Sequence, residues 1–149
     1  MFYKSTLYDQ DTFYGQFTRD LHRCRSEVII ECPFITERRI CMLLPILARL
    51  RRREVRIIVN TRNPEDHDGN YYFQAVEAVA AMQNLGVKVL YTVGHHRKLA
   101  ILDQKIVYEG SLNILSFSDS CEIMRRIPSA IAAKELLRFT AIDGYARNK

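Results

Sequence analysis

Apolar positions along this chain change period repeatedly, and the changes mark out its elements. Between residues 9 and 23, Phe13, Phe17 and Leu21 fall at four-residue steps among charged neighbours. That spacing predicts an amphipathic first helix, with Asp9 or Asp11 as its cap. Residues 27–32, with Val28, Ile29 and Ile30, read as a short buried strand that Pro33 stops. Thr36 suits the N-cap of a second helix, where Ile40, Leu43, Leu44, Leu47 and Leu50 draw a core stripe past a kink expected at Pro45. A strand at 55–59, a polar loop at 60–70, a helix at 71–84 and a strand at 87–92 follow. In that third helix Phe73, Val76, Val79, Ala80 and Met82 form the inward stripe, and Leu85-Gly86 ends it. Apolar runs at 99–102 and 105–108 flank Asp103-Gln104 as a hairpin, 121–127 is one more strand, and Ser129 caps a last helix with Ile131, Leu136 and Leu137 inward. Helices alternating with short apolar strands must cover a sheet, so the expected class is α/β, a sandwich with a central mixed sheet flanked by helices.

Composition narrows the picture. The 149 residues are 48% hydrophobic and 26% charged, which fits one globular domain over 1–149 with a basic tail at about 144–149. The most apolar stretch, 40–47, is too short to span a bilayer, and the first residues lack the apolar core of a leader. A soluble, cytoplasmic protein without stable membrane insertion is expected. A formal charge of +5 favours polyanionic partners, with nucleic acid and anionic lipid both eligible. Cys24, Cys32, Cys41 and Cys121 suit neither a zinc ribbon nor a redox pair, and three fall in apolar segments, so reduced thiols are expected. Arg49, Arg51, Arg52 and Arg53 crowd the end of the second helix. They either complement its dipole or track phosphates, which makes Arg51 and Arg52 candidate substrate-binding residues. Asp66-His67-Asp68 alternates on an exposed loop, where such patterns are common without a metal, and the loop's length suits a mobile rim of a site.

The chemistry concentrates in residues 96–113. His96 and Lys98 lie two apart on an expected strand, so they share a face with Cα atoms ~7 Å apart. One can attack phosphorus while the other holds a phosphoryl oxygen. Asp103 sits in the hairpin turn, where a carboxylate can bind backbone amides and fix the turn. Gly110 permits close backbone approach to a ligand, and Ser111 and Asn113 supply neutral donors. His95 and His96 point to opposite faces, so they do not form a metal pair.

The whole run reads His-x-Lys, four residues, Asp, six residues, Gly-Ser-x-Asn, and in this it closely resembles the phospholipase D superfamily. The resemblance implies that superfamily's sandwich fold and a covalent phosphohistidine formed without a metal. It makes His96 the nucleophile and Lys98 and Asn113 the phosphate clamp, with Asp103 and Ser111 completing the motif. Glu122 falls where a carboxylate that orients the histidine is expected, although Ser120 replaces the Asn of the familiar Asn-x-Glu. Members with a single signature pair two chains, which implies a homodimer with a shared active site, no cofactor and no need for magnesium. Residues 110–116 and 122–127 also resemble small modules attached to helicase-like proteins, which points to nucleic acid, DNA before RNA. The expected function is therefore a metal-independent phosphodiesterase, specifically a nuclease. The alternatives are a phospholipase or cardiolipin-type lipid hydrolase, and a catalytically idle nucleic-acid-binding module of a helicase-like system.

Overall fold

Val28, Ile29 and Ile30 are all buried because the strand that carries them, β2 (Glu27–Glu31), is covered on both faces. A computed structural model describes residues 4–142, so the expected basic tail lies outside the described residues. The other strands are β1 (Thr6–Asp9), β3 (Arg56–Thr61), β4 (Lys88–Tyr91), β5 (Leu99–Leu102), β6 (Ile106–Gly110) and β7 (Ile123–Ile127). The helices are α1 (Phe13–His22), α2 (Glu37–Arg52), α3 (Gly69–Asn84) and α4 (Ala130–Thr140), with a 3-10 turn at Pro64–Asp66. The strands form one seven-stranded sheet in the order β1-β7-β6-β5-β2-β3-β4. β2, β3 and β4 run parallel through the crossovers α2 and α3, and the remaining pairings are antiparallel. The expected mixed α/β sandwich is what forms.

Strand alternation divides the core. Val28, Ile30, Ile57, Val59, Ala100 and Leu102 face a large cluster built with Phe13, Phe17, Leu43 and Leu47 of α1 and α2. Ile29, Ile58 and Ile101 face the other way, towards Ala133 of α4. Among the described residues, three helices therefore cover one face and a single helix the other. Tyr108 locks the first layer, its ring edge-on to Phe13 and Phe17 at 5.3 Å from each and its hydroxyl bonded to Asp20. Asp20 is itself buried and accepts two bonds from Arg126, at 2.7 and 3.2 Å, so α1 is tied to β6 and β7 by a satisfied charge.

Several expectations need correction. β1 follows no clear apolar alternation and was not foreseen; it forms because β7 offers a free edge for it to pair with. Thr12, rather than Asp9 or Asp11, holds the N-cap position of α1, while the Asp9 carboxylate accepts from the amides of Asp11 and Thr12 just ahead of it. In α3 the inward residues are Ala75, Ala78, Val79 and Met82, and Phe73 is 65% exposed. Small side chains let α3 lie close to its neighbours, which rotates the bulky residues Phe73 and Val76 outward. Ile131 of α4 also faces solvent, as do Cys41 and Cys121, leaving only Cys24 and Cys32 buried. Among the described residues no helix is long and apolar enough to cross a membrane.

Candidate active site

The pairings place the carboxyl ends of β2, β3, β4 and β6 and the starts of β5 and β7 along one edge of the sheet. Open α/β sheets bind ligands at this edge, where backbone ends and loops leave a crevice. His96 to Lys98 enter β5 there, Gly110 to Asn113 leave β6 there, and Glu122 immediately precedes β7. His96 and Lys98 are not within a strand, since β5 begins at Leu99. Alternation nevertheless persists through the segment, with His95 3% exposed and His96 open to solvent. His96 and Lys98 line one cavity of about 540 Å³, with Gly110 and Arg125. Lys98 Nζ donates to the His96 carbonyl at 2.8 Å, which folds the ammonium back over the histidine's own backbone.

Asn113 and Glu122 line a neighbouring cavity of about 220 Å³ with Tyr14, Arg39 and Ser120. The Cys32 thiol connects the halves of the motif, lying 3.9 Å from Asn113 Oδ1 and within the field of the Lys98 charge. Burial pushes that thiol up to about 11, against backbone hydrogen bonds and Lys98, so Cys32 is a neutral filler between two motif residues. The orienting contact expected between Glu122 and His96 is not made. Glu122 accepts instead from Ser120 Oγ at 3.1 Å, and its amide donates to Gln10 Oε1 at 2.9 Å. Ser120, standing where Asn is familiar, thus holds the carboxylate at the cavity wall.

Other motif residues serve the scaffold. Ser111 accepts from the Ile123 amide at 3.0 Å while its own amide donates to the Ile123 carbonyl at 2.9 Å, fastening the β6 exit to β7. Gly110 is needed for the same junction, because a Cβ there would lie 2.2 Å from the Ile123 carbonyl oxygen. Asp103 lies at the opposite end of β5 from Lys98, at least ~13 Å along the strand, and so is removed from the edge that carries His96 and Lys98. Its carboxylate accepts not from its own turn but from the amides of Arg25, Ser26 and Glu27, pinning the hairpin to the start of β2. Burial raises the Asp103 pKa, but these amides and the Ser26 hydroxyl outweigh it and hold the carboxyl below its ordinary value. Arg51 and Arg52, at the far end of α2, are also remote from the signature. The Arg51 guanidinium donates to the carbonyls of Leu85 and Val55 at 3.2 and 3.0 Å, satisfying chain ends rather than phosphates.

Two groups at the edge that carries His96 and Lys98 escape a motif-based reading. Glu31, fully buried, accepts from Arg97 at 2.8 and 3.1 Å and from Asn60 at 2.6 Å, and Thr92 bonds Asn60 in turn. Arg97 is the residue between His96 and Lys98, so this network anchors their backbone. His95 is buried beside it with an unpaired Nε2, and burial lowers its pKa despite the attraction of Glu31. The second group is Arg38 and Arg39 in the first turn of α2, with guanidinium carbons 3.6 Å from the rings of Phe117 and Tyr14 respectively. Cations at a helix N-terminus oppose its dipole, and that misplacement was the available signal. Among the described residues no three of His, Cys, Asp and Glu gather as metal ligands.

The family model described as "Cardiolipin synthase, PLD-like domain" matches residues 17–141. No curated protein matches the chain in sequence. Among solved structures, the phospholipase D family member Nuc from Salmonella typhimurium is similar, with a TM-score of 0.72, 14% identity and 91% of each chain covered. NucT from Helicobacter pylori gives 0.66 at 17% identity, covering 99% of this chain and 95% of its own. Phosphatidylserine synthase from Haemophilus influenzae gives 0.65 at 14% identity, with 90% of this chain matching 37% of that one. At these TM-scores the likeness is one of fold.

Proposed function

Because the chain belongs to the phospholipase D superfamily, whose members are phosphodiesterases, we propose that it is a metal-independent nuclease working as a homodimer through His96. The observation that carries this reading is the placement of His96, Lys98 and Asn113 at one sheet edge, with the Cys32 thiol between Asn113 and Lys98 and with Arg39 beside Asn113. In the first step an imidazole nitrogen of His96 bonds to phosphorus while the ester oxygen departs. The second protomer's His96 gives that oxygen a proton. The same ring then takes a proton from water, whose oxygen attacks phosphorus and releases His96. Lys98 and Asn113 hold the phosphoryl oxygens as negative charge builds, the work a divalent cation would otherwise do. One signature histidine per chain makes two chains necessary. In support, exposed Leu7, Ile123 and Phe139 surround the His96 cavity on the face covered by α4 alone.

A second reading has its own observation. The wall of the His96 cavity includes Leu7, Ile123, Leu136 and Phe139, which would also receive an acyl chain, and the matching family is described by a lipid enzyme. Incubation in EDTA with labelled DNA, labelled RNA and a fluorescent phospholipid separates the two. Cleavage of nucleic acid alone is expected. Turnover of the phospholipid alone would transfer the assignment to lipid, and turnover that requires added magnesium would overturn the metal-independent mechanism.

A further inference from the structure

Phe34, His67 and Tyr71 form a ring cluster at the reacting edge that the motif does not use. Phe34 leads into α2, His67 precedes α3 and Tyr71 lies in the first turn of α3. Their centroids are 5.2 Å apart for Phe34 and His67, 5.5 Å for Phe34 and Tyr71, and 6.3 Å for His67 and Tyr71. The Arg62 guanidinium carbon lies 5.9 Å from the Phe34 ring centroid, and Arg62 Nε is buried without a partner among the described residues. Tyr71 is 45% exposed and Phe34 and His67 are half-buried, so the cluster is in part open to solvent. Burial lowers the His67 pKa, and the Arg62 charge adds to the effect, which favours a neutral ring over a competing cation.

The cluster's position connects it to the signature. The Cys32 thiol donates to the Phe34 carbonyl at 3.1 Å, and the same thiol neighbours Asn113 and feels Lys98. Phe34 therefore stands two residues from the side chain between the candidate phosphate-binding groups, across the bend at Pro33. We propose that Phe34, His67 and Tyr71, flanked by Arg62, form a stacking subsite for an unpaired nucleobase of single-stranded nucleic acid whose backbone runs along the same sheet edge to His96. Bases inside a duplex have their faces covered by their neighbours, so only a splayed or single strand can offer one. The adjoining cation supplies the backbone with charge, as in other single-strand grooves. This inference rests on the nuclease reading and names the form of its substrate.

Binding is read by fluorescence anisotropy of a labelled oligothymidylate on the His96→Ala protein, which holds substrate without cutting it. An abasic strand with the same number of phosphates is the control. Tyr71→Ala should weaken oligothymidylate binding about tenfold and leave the abasic strand unchanged, with Tyr71→Phe close to wild type. An equal loss on both strands, or no loss on either, would overturn the stacking subsite. So would Tyr71→Ala weakening attachment to anionic phospholipid vesicles while sparing the oligonucleotide. The two readings fail separately. If wild type cuts nucleic acid in EDTA but Tyr71→Ala keeps its preference for single strands, the subsite alone falls; if wild type neither binds nor cuts nucleic acid, the nuclease reading falls and the subsite with it.

Discussion

His95 and His96 are neighbours in sequence and opposites in surroundings, and that contrast makes a sharp test at the scale of single residues. His96→Ala should abolish turnover with an unchanged unfolding midpoint, because the ring is exposed and supports no packing. A preference for His96 over His95 is readable from the motif, but the motif gives no hint that His95 is 3% exposed beside the Glu31–Arg97 pair. His95→Ala should instead cost about 1–3 kcal/mol of stability and leave the turnover of the folded fraction largely intact, measured by urea unfolding beside an activity assay. Asp103 gives a second residue-scale prediction. Asp103→Ala removes a charged acceptor from several amides at a backbone φ of +53°. It should lower stability near neutral pH by about 2–3 kcal/mol. Because the folded pKa lies below the ordinary 3.8, this contribution is complete above that value and disappears as pH falls through the folded one. The gap between wild type and variant should therefore narrow as pH falls below about 4, leaving the part set by the positive φ; a gap that stays constant into acid would refute the charged-acceptor role. The candidate site residues His96, Lys98 and Asn113 were legible in the sequence because the motif restricts their types and spacing. Glu31 was not, since its importance arises only when folding sets it against Arg97 and Asn60.

Strand and helix identities were largely legible because period and punctuation agree with one another, as in the Val28 to Ile30 run closed by Pro33. What period could not supply was phase where small residues do the packing. In α3 the eye follows Phe73 and Val76, whereas the close approach is made by Ala75 and Ala78. Short β1 was invisible for a related reason: its four residues are mostly exposed, and only pairing with β7 defines them. The junction of β6 with β7 shows how strictly an element can depend on one position. Gly110→Ala would drive a methyl group to 2.2 Å from the Ile123 carbonyl oxygen and 2.8 Å from Met124 Sδ. The resulting displacement should cost about 2–4 kcal/mol and also reduce turnover, since Asn113 hangs from the same exit. A Gly110→Ala protein with wild-type unfolding and activity would contradict that geometry. At the other end of α2, Arg51→Ala should destabilise the protein while leaving the salt dependence of nucleic-acid binding unchanged. A flattened slope would restore the phosphate track.

For the whole molecule, the shared site is the decisive proposal, and subunit mixing tests it. When wild type is refolded with an equal amount of His96→Ala, random pairing leaves about half the dimers with one histidine and roughly a quarter with both. A mixed dimer lacks either a nucleophile or a proton donor, so activity per wild-type chain should fall by roughly half. Activity proportional to wild-type chains, from protein shown to have exchanged subunits, would sink the mechanism. The sheet order has a further consequence that concerns time rather than geometry. Thr6 finds its partner in Arg126, 120 residues later, whereas β2, β3 and β4 close through local crossovers. During synthesis the first strand must therefore wait on the order of ten seconds for its partner to emerge. Meanwhile Leu7 and an unpaired backbone edge are available to any neighbouring chain, so a ribosome that slows between β4 and β7 prolongs the stage at which this protein is most prone to misassembly.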